Sequence, residues 1–348
     1  MDAKLACTYL RLPLSSPVIV GACALTLQPE TLRHLIACGA GAVVLPSIFQ
    51  EQVEFRDQQQ HGQQSAAPAD SLQQQQDQYN SGPEQYLASI GALKRVSSIP
   101  IIASLSGCSG GDWLSFARQM EASGADALEL NLQPVVSDPL QTSAELEAGL
   151  CDAVRTVCQS VAIPVAVKLT QHFTSITNLA HQLKQAGAAG VVLFGHESKW
   201  QVEIDRLRWT VHWELTPVDS LGSTIAGLVR AHLAGLGLSV AASGGVRTAE
   251  DAIKAMIAGA HVVMVTSEIY RSGPEAISRI VAGLERYLAG CGCESLSQFQ
   301  RQCPQPEARC GHLLRQQNYL DPLTRSAHYK DPTPAIPPQA GDRYGHQD

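Results

Sequence analysis

Ala258-Gly259-Ala260-His261-Val262-Val263-Met264-Val265-Thr266-Ser267 holds a complete structural joint. The glycine ends an amphipathic helix, where a positive φ is needed. A short apolar run follows, and then two hydroxyl side chains. The same phrase occurs three more times. Cys38-Gly39-Ala40 precedes Ala42-Val43-Val44-Leu45, and Ser123-Gly124-Ala125 precedes Ala127-Leu128-Glu129-Leu130. Ala186-Gly187-Ala188 precedes Gly190-Val191-Val192-Leu193-Phe194.

A second phrase alternates with the first. Ile99-Pro100 opens Ile101-Ile102-Ala103-Ser104, Ile163-Pro164 opens Val165-Ala166-Val167-Lys168, and Leu238-Ser239 opens Val240-Ala241-Ala242. Proline suits the first residue of a strand, where no ladder donor is lost. With Val18-Ile19-Val20 near the start, the two phrases mark eight strands. Helical periodicity fills the stretches between, among them 113–122, 144–158, 178–185, 224–233 and 249–258. Fully apolar strands alternating with helices predict parallel strands covered on both faces. Eight such units predict an α/β fold of the (β/α)₈ TIM barrel type, one unit over residues 1–325. No Gly-x-Gly-x-x-Gly follows the first strand to support an open doubly wound sheet.

Two segments depart from the rhythm. Residues 50–79, after the second strand, are rich in glutamine and read as a long mobile loop on the active face, with 58–76 dispensable for folding. Residues 326–348 carry several prolines and no hydrophobic period, and read as a disordered tail.

The totals narrow the function classes. The chain has 348 residues, 45% hydrophobic, with a formal charge of −7. That acidity argues against a nucleic-acid partner. No apolar run reaches the ~18 residues of a membrane span. The first residues lack the apolar core of a signal peptide, so a cytoplasmic protein without a membrane partner is expected. Cys291, Cys293, Cys303, Cys310 and His312 cluster late in the chain, but their spacing fits no trusted metal pattern, so no metal is expected.

Barrel chemistry sits at the C-terminal ends of the strands. Ser243-Gly244-Gly245 follows the seventh strand and Thr266-Ser267 the eighth. Bare glycine backbone and helix starts there predict a phosphate site. A tight glycine turn without ligand is the alternative. Lys168 ends the fifth strand and would aim its ammonium into the mouth, either to stabilise an anion or to pair with Glu129. Asn131 lies two residues beyond Glu129 on the same face. It is a hydrogen-bonding group near the mouth or a satisfied loop asparagine. His172, His196 and Asp138 lie in loops at the same end, and any could move a proton or be plain surface. Trp209, His212 and Trp213 fold over the pocket or pack on the barrel top.

From Leu10 to about Tyr319 the chain resembles the FMN-dependent dihydroorotate dehydrogenases, in a divergent, dihydroorotate dehydrogenase-like branch. The segments that carry the resemblance are Gly41 to Ser47, Tyr79-Asn80-Ser81-Gly82-Pro83-Glu84-Gln85-Tyr86-Leu87, and Ala125 to Asn131. They continue with Pro164 to Leu169, Ser243-Gly244-Gly245-Val246 and Ala258 to Ser267. The resemblance implies FMN in the barrel mouth. Lys168 and Asn131 would lie beside flavin and substrate, and Ser243, Gly244, Gly245, Thr266 and Ser267 would hold the phosphate. Asn80 and Ser81 match an asparagine-serine pair of the substrate loop. It implies oxidation of a CH–CH bond, dihydroorotate to orotate in pyrimidine biosynthesis, with a small-molecule substrate and an electron-transfer partner. A homodimer is the assembly considered.

Three departures qualify this. Pro134 stands where the family carries its cysteine or serine base, and proline moves no proton. Pro46 replaces a second lysine. Phe194 or Gly195 stands where an asparagine is expected. A second reading therefore stays open: a barrel that binds FMN or another phosphorylated ligand without turnover, as partner of an electron-transfer protein.

Overall fold

A short antiparallel hairpin, β1 (Cys7–Tyr9) and β2 (Leu12–Leu14), opens the chain. It leads into β3 (Val18–Val20), the first of eight parallel strands in this computed structural model. The others are β4 (Ala42–Phe49), β5 (Ile101–Gly107), β6 (Ala127–Leu132), β7 (Val165–Leu169) and β8 (Gly190–Leu193). After a second hairpin, β9 (Lys199–Glu203) with β10 (Arg208–His212), come β11 (Ser239–Ser243) and β12 (Val262–Val265). The barrel closes where Val263 of β12 pairs with Val18 of β3. The expected (β/α)₈ barrel is therefore present. The structure describes residues 4–60, 69–107, 112–134, 138–218 and 220–303; the tail expected at 326–348, with Cys310 and His312, lies outside them.

Helices cover the barrel: α1 (Pro29–Ala37), α2 (Gln50–Gln60), α3 (Ala69–Asn80), α4 (Pro83–Val96), α5 (Phe116–Ala122) and α6 (Ser143–Ser160). They continue as α7 (Ile176–Gln185), α8 (Leu221–Leu233), α9 (Ala249–Ile257), α10 (Ser267–Ser272), α11 (Glu275–Gly290) and α12 (Leu296–Gln302). The repeated glycine does the work assigned to it. Gly259 sits at φ +107° directly after α9, and its counterparts at 39, 124 and 187 are likewise at positive φ.

The barrel interior explains its alanines. Ala42, Ala127, Ala166 and Ala241 point inward with Ile19, Val44, Ile102 and Val192. Their small side chains leave space that Tyr9, Leu10 and Leu14 of the opening hairpin fill from below. Above this apolar plug the inward positions turn polar. Ser47 and Ser104 hydroxyls meet at 2.7 Å, and Glu129 and Lys168 are buried beside them. The apolar floor and polar upper storey place the chemistry at the C-terminal mouth.

The glutamine-rich segment corrects its reading as a mobile loop. Residues 50–60 and 69–80 are helical, consistent with the good helix propensity of Gln, Glu and Ala. The two helices are also pinned to the barrel. Gln52, Val53 and Asn80 are fully buried. Asn80 Nδ2 donates to Ser47 O and to Gln52 Oε1, both at 2.8 Å. Asn80 Oδ1 accepts from Gln52 Nε2 and Gly82 N, both at 3.0 Å. Residues 61–68, between the helices, lie outside the described residues.

Candidate active site

Lys168 of β7 stands in register with Asn131 of β6. Strand alternation turns both side chains, and that of Glu129, into the barrel. Lys168 Nζ donates to Glu129 Oε1 at 2.8 Å, with the two side chains 10% and 1% exposed. Of the two readings of this lysine, the ion pair is the one the structure holds. It does not saturate the site, because Glu129 Oε2 and Asn131 Oδ1 are both buried without a hydrogen-bond partner among the described residues. Leaving such an atom unsatisfied costs ~1–3 kcal/mol. Below them, burial and then the charge of Glu129 push the Tyr9 phenol well above its usual range.

The phosphate candidates form the opposite wall. Ser243 pairs with Met264, which brings the ends of β11 and β12 side by side. Gly244 and Gly245 follow at φ +97° and +83°. A Cβ on Gly245 would stand 2.5 Å from Leu221 N at the start of α8, whereas one on Gly244 would meet only Thr224 Oγ1 at 3.4 Å. The glycine at 245 thus serves packing, and the one at 244 leaves a strip of bare backbone. Thr266 caps α10, and its hydroxyl points where a side chain on Gly21 would collide with it. Ser267 Oγ accepts from Thr216 N at 3.0 Å, and Arg271 Nη2 donates to Thr216 O at 2.6 Å. Arg247 Nε donates to Glu268 Oε2 at 2.9 Å and ties the two turns together. Burial alone would raise the Glu268 carboxyl; hydrogen bonds from Ser272 and Arg247 outweigh it and hold the group below its usual range. Thr216, Arg247 and Glu268 carried no signal in the sequence, because their partners are 21 to 55 residues away.

The remaining candidates divide. The Asn80 amide is saturated by the four bonds described above, and Ser81 beside it is exposed at φ +72°. Asp138 is exposed and accepts from Leu140 N at 2.9 Å. His196 packs edge-on to Trp213, 4.4 Å between ring centroids, and burial lowers its imidazole below the usual value. His172 Nε2 lies 2.7 Å from Glu197 Oε2. Trp209 belongs to a β9–β10 ribbon whose apolar face, Trp200, Val202, Trp209 and Val211, is largely exposed.

A cleft of ≈ 290 Å³ opens among the ends of β6, β7 and β8, lined by Gln133, Pro134, Thr170, His172, Glu197 and Trp200 among others. A larger hollow of ≈ 440 Å³ lies between α1 and α10, lined by residues such as Leu25, His34 and Tyr270. It carries none of the strand-end groups above, whereas the smaller cleft holds residues just beyond them, Gln133 and Pro134 after Asn131 and Thr170 after Lys168. Among the described residues no three metal-capable side chains come together.

Comparison with known proteins fits this geometry. The family model for dihydroorotate dehydrogenase matches residues 223–288, which include both phosphate-candidate turns. A provisionally named dihydroorotate dehydrogenase A (fumarate) of Aeropyrum pernix is 31% identical over 58% of this chain and 66% of its own length. The dihydroorotate dehydrogenase B (NAD(+)) catalytic subunit of Methanosarcina acetivorans is 26% identical over 62% and 70%. The dihydroorotate dehydrogenase A (fumarate) of Lactobacillus helveticus is 28% identical over 57% and 66%. The chain belongs to the dihydroorotate dehydrogenase family, as a divergent member. It spans about two thirds of the length of these relatives.

The departures from the dihydroorotate dehydrogenase pattern have visible structural settings. Pro46 lies in β4 where the register with β5 breaks between Val44 and Ser47, a place that tolerates a missing donor. Phe194 is buried and packs against Gly227 of α8, away from the mouth. At Gly195 the absent side chain leaves room for another amide. Gln133 Nε2 lies 2.5 Å from where a Cβ on Gly195 would be, and donates to His196 O at 3.4 Å. Among the described residues no helix is long and apolar enough to cross a membrane.

Proposed function

We propose that this protein is an FMN-dependent oxidoreductase acting on a CH–CH bond, with the flavin held in the barrel mouth. The observation that carries the reading is the pairing of two unsatisfied buried oxygens, Glu129 Oε2 and Asn131 Oδ1, with a bare glycine turn on the facing wall. Polar atoms deep in a barrel mouth are normally satisfied, and a polar ring system with an N–H group would supply such a donor. The residues present therefore fit the group. Lys168 and Asn131 would contact the ring, and Ser243, Gly244, Gly245, Thr266 and Ser267 the phosphate end.

When bound, the flavin supplies the hydride acceptor. The chain supplies orientation and charge. Lys168, ion-paired with Glu129, would set its ammonium beside the ring and favour negative charge on it. Asn131 Oδ1, left without a donor among the described residues, would accept a hydrogen bond from the bound ring or substrate and fix its orientation. The polar wall at β11 and β12 anchors an anionic tail far from the reacting end.

Dihydroorotate to orotate is the reaction that the resemblance names, with a second, electron-transfer acceptor completing the cycle. Pro134 argues for slow turnover of that substrate. A general base contributes ~10²–10⁴-fold, and proline supplies none. We expect flavin bleaching by dihydroorotate to be at least ~10²-fold slower than in Pro134→Cys. Stopped-flow reduction of the FMN-loaded protein and the variant measures this. Equal, fast bleaching in both would contradict it. The second reading, a flavin-binding barrel without turnover, is favoured by the same proline and predicts no bleaching in either protein.

A further inference from the structure

We propose that His172, held by Glu197, is the proton acceptor of this site, and that the substrate it serves carries no anionic group. The proposal rests on the flavin reading above and deepens it. Three side chains near the mouth could take a proton, and their settings differ. Asp138 is turned to the backbone of its own loop. His196 packs edge-on to Trp213, and its Nε2 is buried without a hydrogen-bond partner among the described residues. His172 lines the same cleft as Gln133 and Pro134, where the base is missing.

Its ring is already oriented. Glu197 Oε2 lies 2.7 Å from Nε2, and an ionised carboxylate only accepts, so Nε2 carries the ring proton. That tautomer leaves the Nδ1 lone pair as the acceptor. A carboxylate behind an imidazole fixes the ring and stabilises the imidazolium that forms. The cleft reaches the centre of the mouth through Gln133, whose amide sits over Gly195, 3.7 Å from Asn131 Oδ1 to the same Cβ position. Nδ1 takes a proton from one carbon, the hydride leaves the neighbouring carbon for an oxidised flavin, and the C=C bond forms between them.

The charge of the cleft selects the substrate. Glu147 of α6 and Glu197 both line it, and among the described lining residues there is no lysine or arginine. The charged groups that line the cleft with His172 are Glu147 on α6 and Glu197 after β8, while Lys168 and Lys199 act on the neighbouring His196. Lys168 is engaged by Glu129, and Lys199 Nζ donates to Glu214 at 3.1 Å. Among the described residues that line the cleft there is thus no cation to meet a substrate carboxylate, and like charges placed together are disfavoured.

The test compares dihydroorotate with 5,6-dihydrouracil, the same ring without the carboxylate, in anaerobic stopped-flow reduction of the FMN-loaded protein. Dihydrouracil is expected to bleach the flavin at least about tenfold faster. His172→Gln should slow this by ~10²-fold or more. Glu197→Gln should also slow the bleaching, because the ring loses the acceptor that holds it. NMR of the His172 ring nitrogens in flavin-free protein should show the Nε2-protonated tautomer, and Glu197→Gln should lose that preference, a readout without turnover. His172 is 77% exposed, so its replacement should leave the melting temperature unchanged. Bleaching in His172→Gln equal to that of the parent overturns the base. Faster bleaching by dihydroorotate overturns the substrate class. A protein that takes up no FMN, or whose flavin neither compound reduces, overturns the functional reading instead, and the proposal with it.

Discussion

Lys168 Nζ and Glu129 Oε1 stand 2.8 Å apart, and the pair forms the floor of the mouth above the plug made by Tyr9, Leu10 and Leu14. Removing one partner of such a pair leaves an uncompensated buried charge and costs ~3–5 kcal/mol, whereas replacing both with apolar side chains is often neutral or stabilising. Lys168→Met and Glu129→Leu should each destabilise the flavin-free protein, and the double variant should be more stable than either single one. Denaturant unfolding of the three proteins checks this. Additive losses would show that the two groups are independently satisfied.

The two glycines after β11 should behave differently. Gly245 is closed in by Leu221, so Gly245→Val should destabilise the fold. Gly244 has room for a side chain, and a replacement there meets chiefly the cost of its left-handed backbone, ~1–3 kcal/mol. Gly244→Val should therefore fold and lose flavin. Melting temperature and flavin content, measured together, separate the two.

Gln52 and Asn80 form a reciprocal amide pair with every donor and acceptor of Asn80 engaged. Asn80→Leu strands the Gln52 amide and Ser47 O, with an expected cost of ~1–3 kcal/mol. A deletion confined to residues 61–68 should leave the melting temperature nearly unchanged. A deletion of 58–76 reaches to the edge of Asp77, which accepts from Gln52 at 2.6 Å, and should cost more.

His196 gives stability a pH dependence. Burial lowers its folded pKa below the ordinary 6.5, so the unfolded chain binds the proton more tightly. Its neutral form is accommodated in full above pH 6.5, and stability declines as the pH falls from there through the lower, folded value. His196→Gln should flatten that part of the curve. An unchanged slope between pH 7 and 5 would mean that the ring protonates freely in place.

The barrel was legible because its signals are local. A glycine, an apolar run and a polar strand end recur within ten residues, and each repeat became a strand in the expected order. The polar strand ends were legible for the same reason: register fixes Lys168 beside Asn131, and Ser243 close to Thr266. What the sequence hid depends on contacts across the chain. Gln52 with Asn80, His172 with Glu197, and Thr216 with Ser267 are separated by 25 to 51 residues, with no periodicity to announce them. The glutamine run misled because its composition matches both a mobile loop and an ordinary polar helix. Two buried anchors decide between them.

The absorption spectrum of the purified protein, after incubation with FMN and removal of free flavin, tests the central claim most directly. The account predicts one flavin retained per chain in the parent and none in Gly244→Val, with both proteins folded. A folded parent that retains no flavin, or a Gly244→Val variant that retains it in full, would contradict the placement of the cofactor in the barrel mouth.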